Sequence, residues 1–162
     1  MDLGLRRRVV LIAGAGKGIG EAAAERLALE GADLAICARG KGALGALALR
    51  LTESGSNCLP IIADVSTEEG VHTCVDRTIA HFGRLDVVVH NAGGATGRGL
   101  LSELSDDEWL ATFNTNVIAA IRHAMDSRAR TGLVYLENTI PIPLFSIKSQ
   151  QIYRSGDHAG DH

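Results

Sequence analysis

Short β-branched runs alternate with longer Ala- and Leu-rich segments up to about residue 122, and that alternation predicts βαβ units around a parallel sheet. Val9 to Ala13 reads as the first strand, and Gly18 to Glu30 as the helix after it, with Gly31 placed to end that helix. Asp33 to Ala38 is a second apolar strand and Lys41 to Ser54 a second helix. Leu59 to Ala63 reads as a third strand, which Pro60 confines to its first residues or to a sheet edge. The third helix runs from Thr67 to Phe82, with Thr67 as its cap and Glu68 and Glu69 in its positive first turn. Leu85 to His90 is nearly all Val, the pattern of a strand covered by helices on both faces. Ser105 opens a further helix, with three acids behind it, that continues past Asn116 to Arg122.

Beyond residue 122 the pattern breaks. Nineteen Ala fall in the first 122 residues and three in the last 40, which hold both Tyr and two of the three Pro. We therefore divide the chain into a unit over 1–122 and a divergent segment over 123–162. That segment carries a short fifth strand, Gly132 to Leu136, and a disordered end. The net charge of −3 leaves no basic excess for phosphate backbones, so nucleic acid is not an expected partner. No apolar run is long enough to span a bilayer, and the start lacks the order of a signal peptide, so a cytoplasmic protein is expected. Cys37, Cys58 and Cys74 are odd in number and widely spaced, and read as reduced, mostly buried thiols. His158 and His162 belong to a solvated tail, and no metal site is expected.

The chemistry starts at the first turn. Gly14-Ala15-Gly16-Lys17-Gly18-Ile19-Gly20 joins a strand to a helix N-terminus, whose free N–H groups make an anion site. Glycine removes the Cβ atoms that would hold a pyrophosphate away from the backbone. No Gly-Lys-Ser/Thr occurs, so the loop is not a P-loop.

Several motifs in one order resemble the short-chain dehydrogenase/reductase family. The loop from Ala13 to Gly20 is similar to its TGxxxGxG turn, with Ala13 where Thr is usual. Ala63-Asp64-Val65 resembles the acidic turn that meets the adenine, and His90-Asn91-Ala92-Gly93 the Asn-Asn-Ala-Gly motif after the fourth strand. Trp109 followed by Asn116-Val117 matches the interval to the family's structural and catalytic Asn. Taken singly, Asp64 could cap a loop, Asn91 satisfy a turn and Asn116 interrupt a helix. Their joint order favours the family reading. The resemblance implies an α/β fold, a Rossmann-type doubly wound parallel sheet, truncated to about four to five strands. It also implies a dinucleotide held by Gly14, Gly16, Lys17, Gly18, Ile19, Gly20, Arg39, Asp64, Val65, Asn91, Ala92 and Gly93.

An acid at the end of the second strand bonds a ribose 2′-OH, whereas a 2′-phosphate needs a cation there. This strand ends Cys37-Ala38-Arg39, and Lys17 lies in the loop, so NADP(H) is expected over NAD(H). By resemblance the substrate is a small carbonyl or alcohol. In the family a Tyr moves the proton, and a Lys four residues later lowers the phenol pKa. Here Thr139 follows Tyr135 at that spacing and Asp157 follows Tyr153, so Tyr153 is a poor catalytic candidate and only Asn116 matches the catalytic set. Activity is therefore in doubt. A non-catalytic dinucleotide-binding module and a truncated or frameshifted gene fragment are the alternatives, with the composition change favouring a frameshift near residue 123. Without later strands, Asp86-Val87-Val88-Val89 would be an exposed edge, so self-association or marginal stability is expected.

Overall fold

The computed structural model describes residues 4–95, 103–131 and 135–137. Strand β1 (Val9–Ala13) is followed by α1 (Gly18–Leu29), β2 (Asp33–Ala38), α2 (Lys41–Glu53), β3 (Cys58–Ile62), α3 (Glu68–Phe82) and β4 (Val87–His90). Next come α4 (Asp106–Phe113), a π-helical turn (Asn114–Ile118), α5 (Ala119–Thr131) and β5 (Tyr135–Glu137). The sheet is parallel throughout, in the order β3-β2-β1-β4-β5. The expected doubly wound α/β fold is therefore what the chain adopts.

Two apolar layers account for the strand sequences. Val9, Leu11 and Ala13 of β1 pack on the side of α3, with Ala35, Cys37, Ile61, Val71, Cys74 and Val75. Val10 and Ile12 alternate to the opposite face, with Ala24 of α1 and Leu44, Leu47 and Leu51 of α2. A strand with both faces covered has no polar side, which is why every residue of β1 is buried. Pro60 lies on β3, opposite Ile36 on the outer edge of the sheet, where its missing N–H interrupts no ladder.

Local chemistry sets the helix starts. Thr67 accepts the Gly70 N–H at 3.0 Å. Ser105 and Glu108 form a reciprocal capping box. Gly31 and Gly83 follow α1 and α3 in the left-handed region, with φ of 81° and 74°. Asp86 ties β1 to the start of β4 by accepting from the Val9 N–H at 2.9 Å and pairing with Arg8 and Arg84.

Two departures from the sequence reading concern the end of the last helix and the edge of the sheet. First, the helix expected to stop at Arg122 runs to Thr131, crossing the composition change. Ala119, His123 and Ser127 recur every fourth residue and are buried, so the helical face continues although the residue types change. Second, β4 is not an exposed edge. Residues Tyr135–Glu137 pair in parallel with Val87–Val89, giving the β4 backbone a partner on its open side. Tyr153, Thr139, the first three residues of the expected fifth strand and the His-containing tail lie outside the described residues.

Candidate functional site

In the sheet order, β1 has β2 on one side and β4 on the other, so the connections leaving the carboxyl ends of β1 and β4 run to opposite faces. Such a switch point opens a crevice. Here it is a cavity of about 370 Å³.

Its floor is backbone on backbone. The Gly14 and Ala15 N–H groups both donate to the Cys37 carbonyl, at 2.9 and 3.0 Å. Gly14 has φ of 84°, and a Cβ there would stand 2.6 Å from the Ala92 nitrogen. Asn91 crosses between the two loops, its N–H donating to the Ala13 carbonyl at 2.9 Å and its side-chain amide to the Gly14 carbonyl at 3.1 Å. The turn-satisfying role open to Asn91 is therefore present, and it is also what holds the two rims of the crevice together. Gly20 lets α1 sit against this pair, because a Cβ at that position would lie 2.3 Å from the Gly14 oxygen.

Unlike α3 and α4, α1 receives no side-chain cap, its N-cap Lys17 making no hydrogen bond to the first turn. Its first amides therefore offer unpaired donors, with the dipole's positive end, next to a cavity lined by Gly14, Gly16 and Lys17. That is the arrangement a pyrophosphate requires. Gly16 also lets the loop lie close on the end of β2, since a Cβ there would stand 3.1 Å from the Ala38 Cβ.

The far wall is charged. Arg39 is 80% exposed at the side chain, and its Nη1 lies 4.0 Å from Asp64 Oδ2. The other Asp64 oxygen accepts from the Ser66 hydroxyl at 2.8 Å and the Ser66 N–H at 3.0 Å. The hydroxyl bond, then the N–H bond, with Arg39 adding to them, hold the Asp64 carboxyl below its usual range. Asp64 thus does cap its loop, while one oxygen stays turned toward the guanidinium. Nine of the twelve sequence-predicted cofactor residues line the cavity; Gly18, Ile19 and Gly20 do not, the last acting through the close approach it permits.

Asn116 stands on the π-helical turn. Its Oδ1 accepts from the Gly94 N–H at 3.1 Å, and its Nδ2 donates to the Gly94 carbonyl at 2.8 Å and the Thr112 carbonyl at 2.7 Å. Asn116 therefore clasps the loop leaving β4, the structural half of the role expected of it. The extra residue of a π turn changes which side chains face the sheet.

Sequence reasoning missed a second clasp. The Ser66 carbonyl accepts from Asn114 Nδ2 at 2.5 Å and from Arg122 Nη1 at 3.3 Å, and Arg122 also donates to Asn114 Oδ1 at 3.0 Å. These bonds fasten the Asp64 turn to the helix bearing Asn116. Residues 66, 114 and 122 share no local pattern, so no sequence signal joins them.

The buried imidazoles of His90 and His123 were missed as well. Their Nδ1 atoms are 3.1 Å apart, with His90 Nε2 3.3 Å from the Thr115 carbonyl and His123 Nδ1 3.2 Å from the Ala119 carbonyl. Carbonyls only accept, so the tautomers that satisfy the Thr115 and Ala119 contacts carry their protons on His90 Nε2 and His123 Nδ1. Burial, then the neighbouring His90, pushes the His123 pKa down to about 4.

The sequence matches the short chain dehydrogenase family over residues 8–128. It is 39% identical over 121 residues to (5R,7aS)-5-hydroxy-7a-methyl-1-oxo-2,3,5,6,7,7a-hexahydro-1H-indene-carboxyl-CoA reductase of Mycobacterium tuberculosis, covering 72% of this chain and 46% of that protein. It superposes on L-sorbose reductase from Gluconobacter frateurii, solved with NADPH and L-sorbose, with a TM-score of 0.75 and 36% identity, over 80% of this chain and 51% of the other. NADH-dependent reductase A1-R′, solved with NAD, gives a TM-score of 0.73 at 26% identity, over 80% and 54%. The chain thus spans about half the length of these relatives. A family match over most of the chain, together with an uncapped glycine turn at the switch point of a parallel sheet, makes this chain a member of the short chain dehydrogenase family of oxidoreductases.

Proposed function

We propose that this chain carries the NADP(H)-binding unit of a reductase acting on a small carbonyl or alcohol, with the nucleotide machinery in residues 1–122. One observation carries the reading: the cavity that begins at the uncapped start of α1 ends at Arg39, a cation where an NAD-specific site places a carboxylate. The α1 amides and Gly14, Gly16 and Gly18 hold the pyrophosphate. Arg39 forks a 2′-phosphate, Lys17 adds a point charge, and Asp64 and Val65 border the adenine. Asn91, Ala92 and Gly93 shape the opposite rim, and Asn116 positions it through Gly94. When bound, the nicotinamide supplies the hydride for carbonyl reduction.

The proton donor is the open part of the scheme, because neither Tyr135 nor Tyr153 is followed by Lys at the fourth position. In sequence Asp157 stands at that position after Tyr153, and a carboxylate cannot supply the positive charge that favours a phenolate, which favours a second reading, a dinucleotide-binding module without turnover. Titration calorimetry with NADPH and NADH, followed by carbonyl-dependent NADPH oxidation, separates the two readings. Micromolar NADPH binding at least tenfold tighter than NADH supports the binding assignment, and added turnover supports the enzyme. Equal affinities refute the cofactor preference, and no heat with either nucleotide refutes the site.

We further propose self-association through the surface of α4, the π-helical turn and α5, where Leu110, Phe113, Ile118, Ile121 and Met125 are all exposed.

A further inference from the structure

At the floor of the cavity, which Cys37 helps to line, the layer between β2 and α3 holds a pair of thiols to which the nucleotide reading assigns no role. Cys37 on β2 and Cys74 on α3 are both fully buried. Their Sγ atoms lie 3.0 Å apart, about 1 Å more than the length of a disulfide bond. Ile61, Val65, Val71 and Val75 complete the apolar surroundings, and the Ala63 carbonyl lies 3.8 Å from Cys37 Sγ. Cys58, the third thiol, packs with the opposite layer. The spacing of the three cysteines in sequence gives no hint of this pair, which the β2-α2-β3-α3 crossover brings together.

We propose that Cys37 and Cys74 form an oxidant-modified site: a hydroperoxide converts the pair to a disulfide that braces β2 against α3 at the floor of the cavity. In the first step one thiol sulfur attacks the O–O bond, becomes a sulfenic acid and releases an alcohol, or water if the oxidant is hydrogen peroxide. In the second step the other sulfur displaces the hydroxyl as water and the S–S bond forms. The two sulfurs together lose two electrons and the O–O bond gains them, while the two thiol protons leave in the two small products. The second step joins atoms already in contact, which gives it the advantage of an intramolecular reaction. The first step is slow, because neither sulfur is exposed and the oxidant enters only when the layer opens locally, and because the thiol–thiol contact and burial both raise the Cys74 pKa.

The sulfurs have about 1 Å to close, and closure by side-chain rotation would leave the Cys37 carbonyl bonded to the Gly14 and Ala15 N–H groups. The cross-linked loop contains Arg39 and Asp64, so oxidation restricts the unfolded chain while leaving the folded cavity in place.

The test treats the full chain with millimolar hydrogen peroxide, removes the oxidant, alkylates under denaturing conditions and maps peptides without reductant. A Cys37–Cys74 peptide lighter by two hydrogens is expected, with Cys58 alkylated. The melting temperature is expected to rise by about 10 °C, to return on reduction, and not to move in C74A or C37A. Nucleotide affinity, where it is measurable, is expected to change less than threefold. Alkylation of both Cys37 and Cys74, or a link that includes Cys58, overturns the pairing. A linked protein that melts no higher than the reduced one overturns the brace. The mass readout requires no nucleotide, so the proposal fails or stands separately from the cofactor reading.

Discussion

Gly20→Ala is the substitution on which local and tertiary arguments disagree in sign. Gly20 lies in the first turn of α1, where exchanging Gly for Ala raises helix propensity by up to about 1 kcal/mol. The added Cβ, however, would stand 2.3 Å from the Gly14 carbonyl oxygen and 2.7 Å from Asn91 Nδ2. Relief requires α1 to retreat from the β1 turn by about 1 Å, and overpacking of that kind costs about 1–3 kcal/mol or more. The neighbours are backbone and an Asn91 amide tied to that backbone by its own hydrogen bond and by the Asn91 N–H, so no flexible side chain can move aside. We expect a net loss of about 1–2 kcal/mol, a melting temperature lower by about 2–8 °C, and at least tenfold weaker nucleotide binding. Gly45→Ala in α2 is the matched control, because a Cβ there meets nothing within 4 Å. It is expected to stabilise by about 0.5–1 kcal/mol. Thermal unfolding of both variants followed by circular dichroism gives the comparison. If Gly20→Ala melts as high as Gly45→Ala, the close approach of α1 to the Gly14–Asn91 bond is wrong.

Arg39→Asp removes the candidate phosphate fork and places two carboxylates together, so NADPH binding is expected to weaken about tenfold while NADH binding improves, measured by calorimetry. Equal losses for both nucleotides would contradict the assigned role. An unfolded imidazole takes up its proton near pH 6.5, whereas folded His123 resists until about pH 4. The unfolded chain therefore gains the proton first, and stability falls by about 3 kcal/mol as pH drops through that window. The Asp64 and Glu108 carboxyls, both held below their usual range, stabilise the fold above it and withdraw that contribution only at more acidic pH. Urea unfolding at pH 7 and 4.5 should show a smaller loss in His123→Leu than in the wild type; an identical loss in both would show that the pair does not control the slope. Ile121→Glu places a charge at an exposed apolar position of α5 and is expected to lower the sedimentation coefficient of an associated species toward that of the monomer. An unchanged coefficient would exclude that surface as the contact.

The strand-helix alternation, the glycine turn and its order with Asp64, Asn91 and Asn116 could be read directly from the chain. Such features depend on neighbours within one element or one connection: a two-residue period, a helical face, a cap three residues from its acceptor. Thr67 with Gly70 and Ser105 with Glu108 belong to the same class. The π-helical turn and the continuation of α5 past residue 122 escaped that reading, because buried positions there are held by His123 and Ser127 rather than by apolar residues.

Four arrangements arose only on folding: the Cys37–Cys74 contact, the His90–His123 pair, the Ser66 clasp by Asn114 and Arg122, and the β5 partner of β4. Each joins residues separated by 30 or more positions. Such contacts are set by which crossover lands beside which strand, a choice made by the packing of whole layers and carried by no local run of residues. Sequence alone thus determined the kind of sheet and where an anion could approach it, since both follow from periodicity and from glycine's missing Cβ. Tertiary structure decided which polar groups meet behind that approach, because hydrogen bonds between distant segments exist only once both layers have closed.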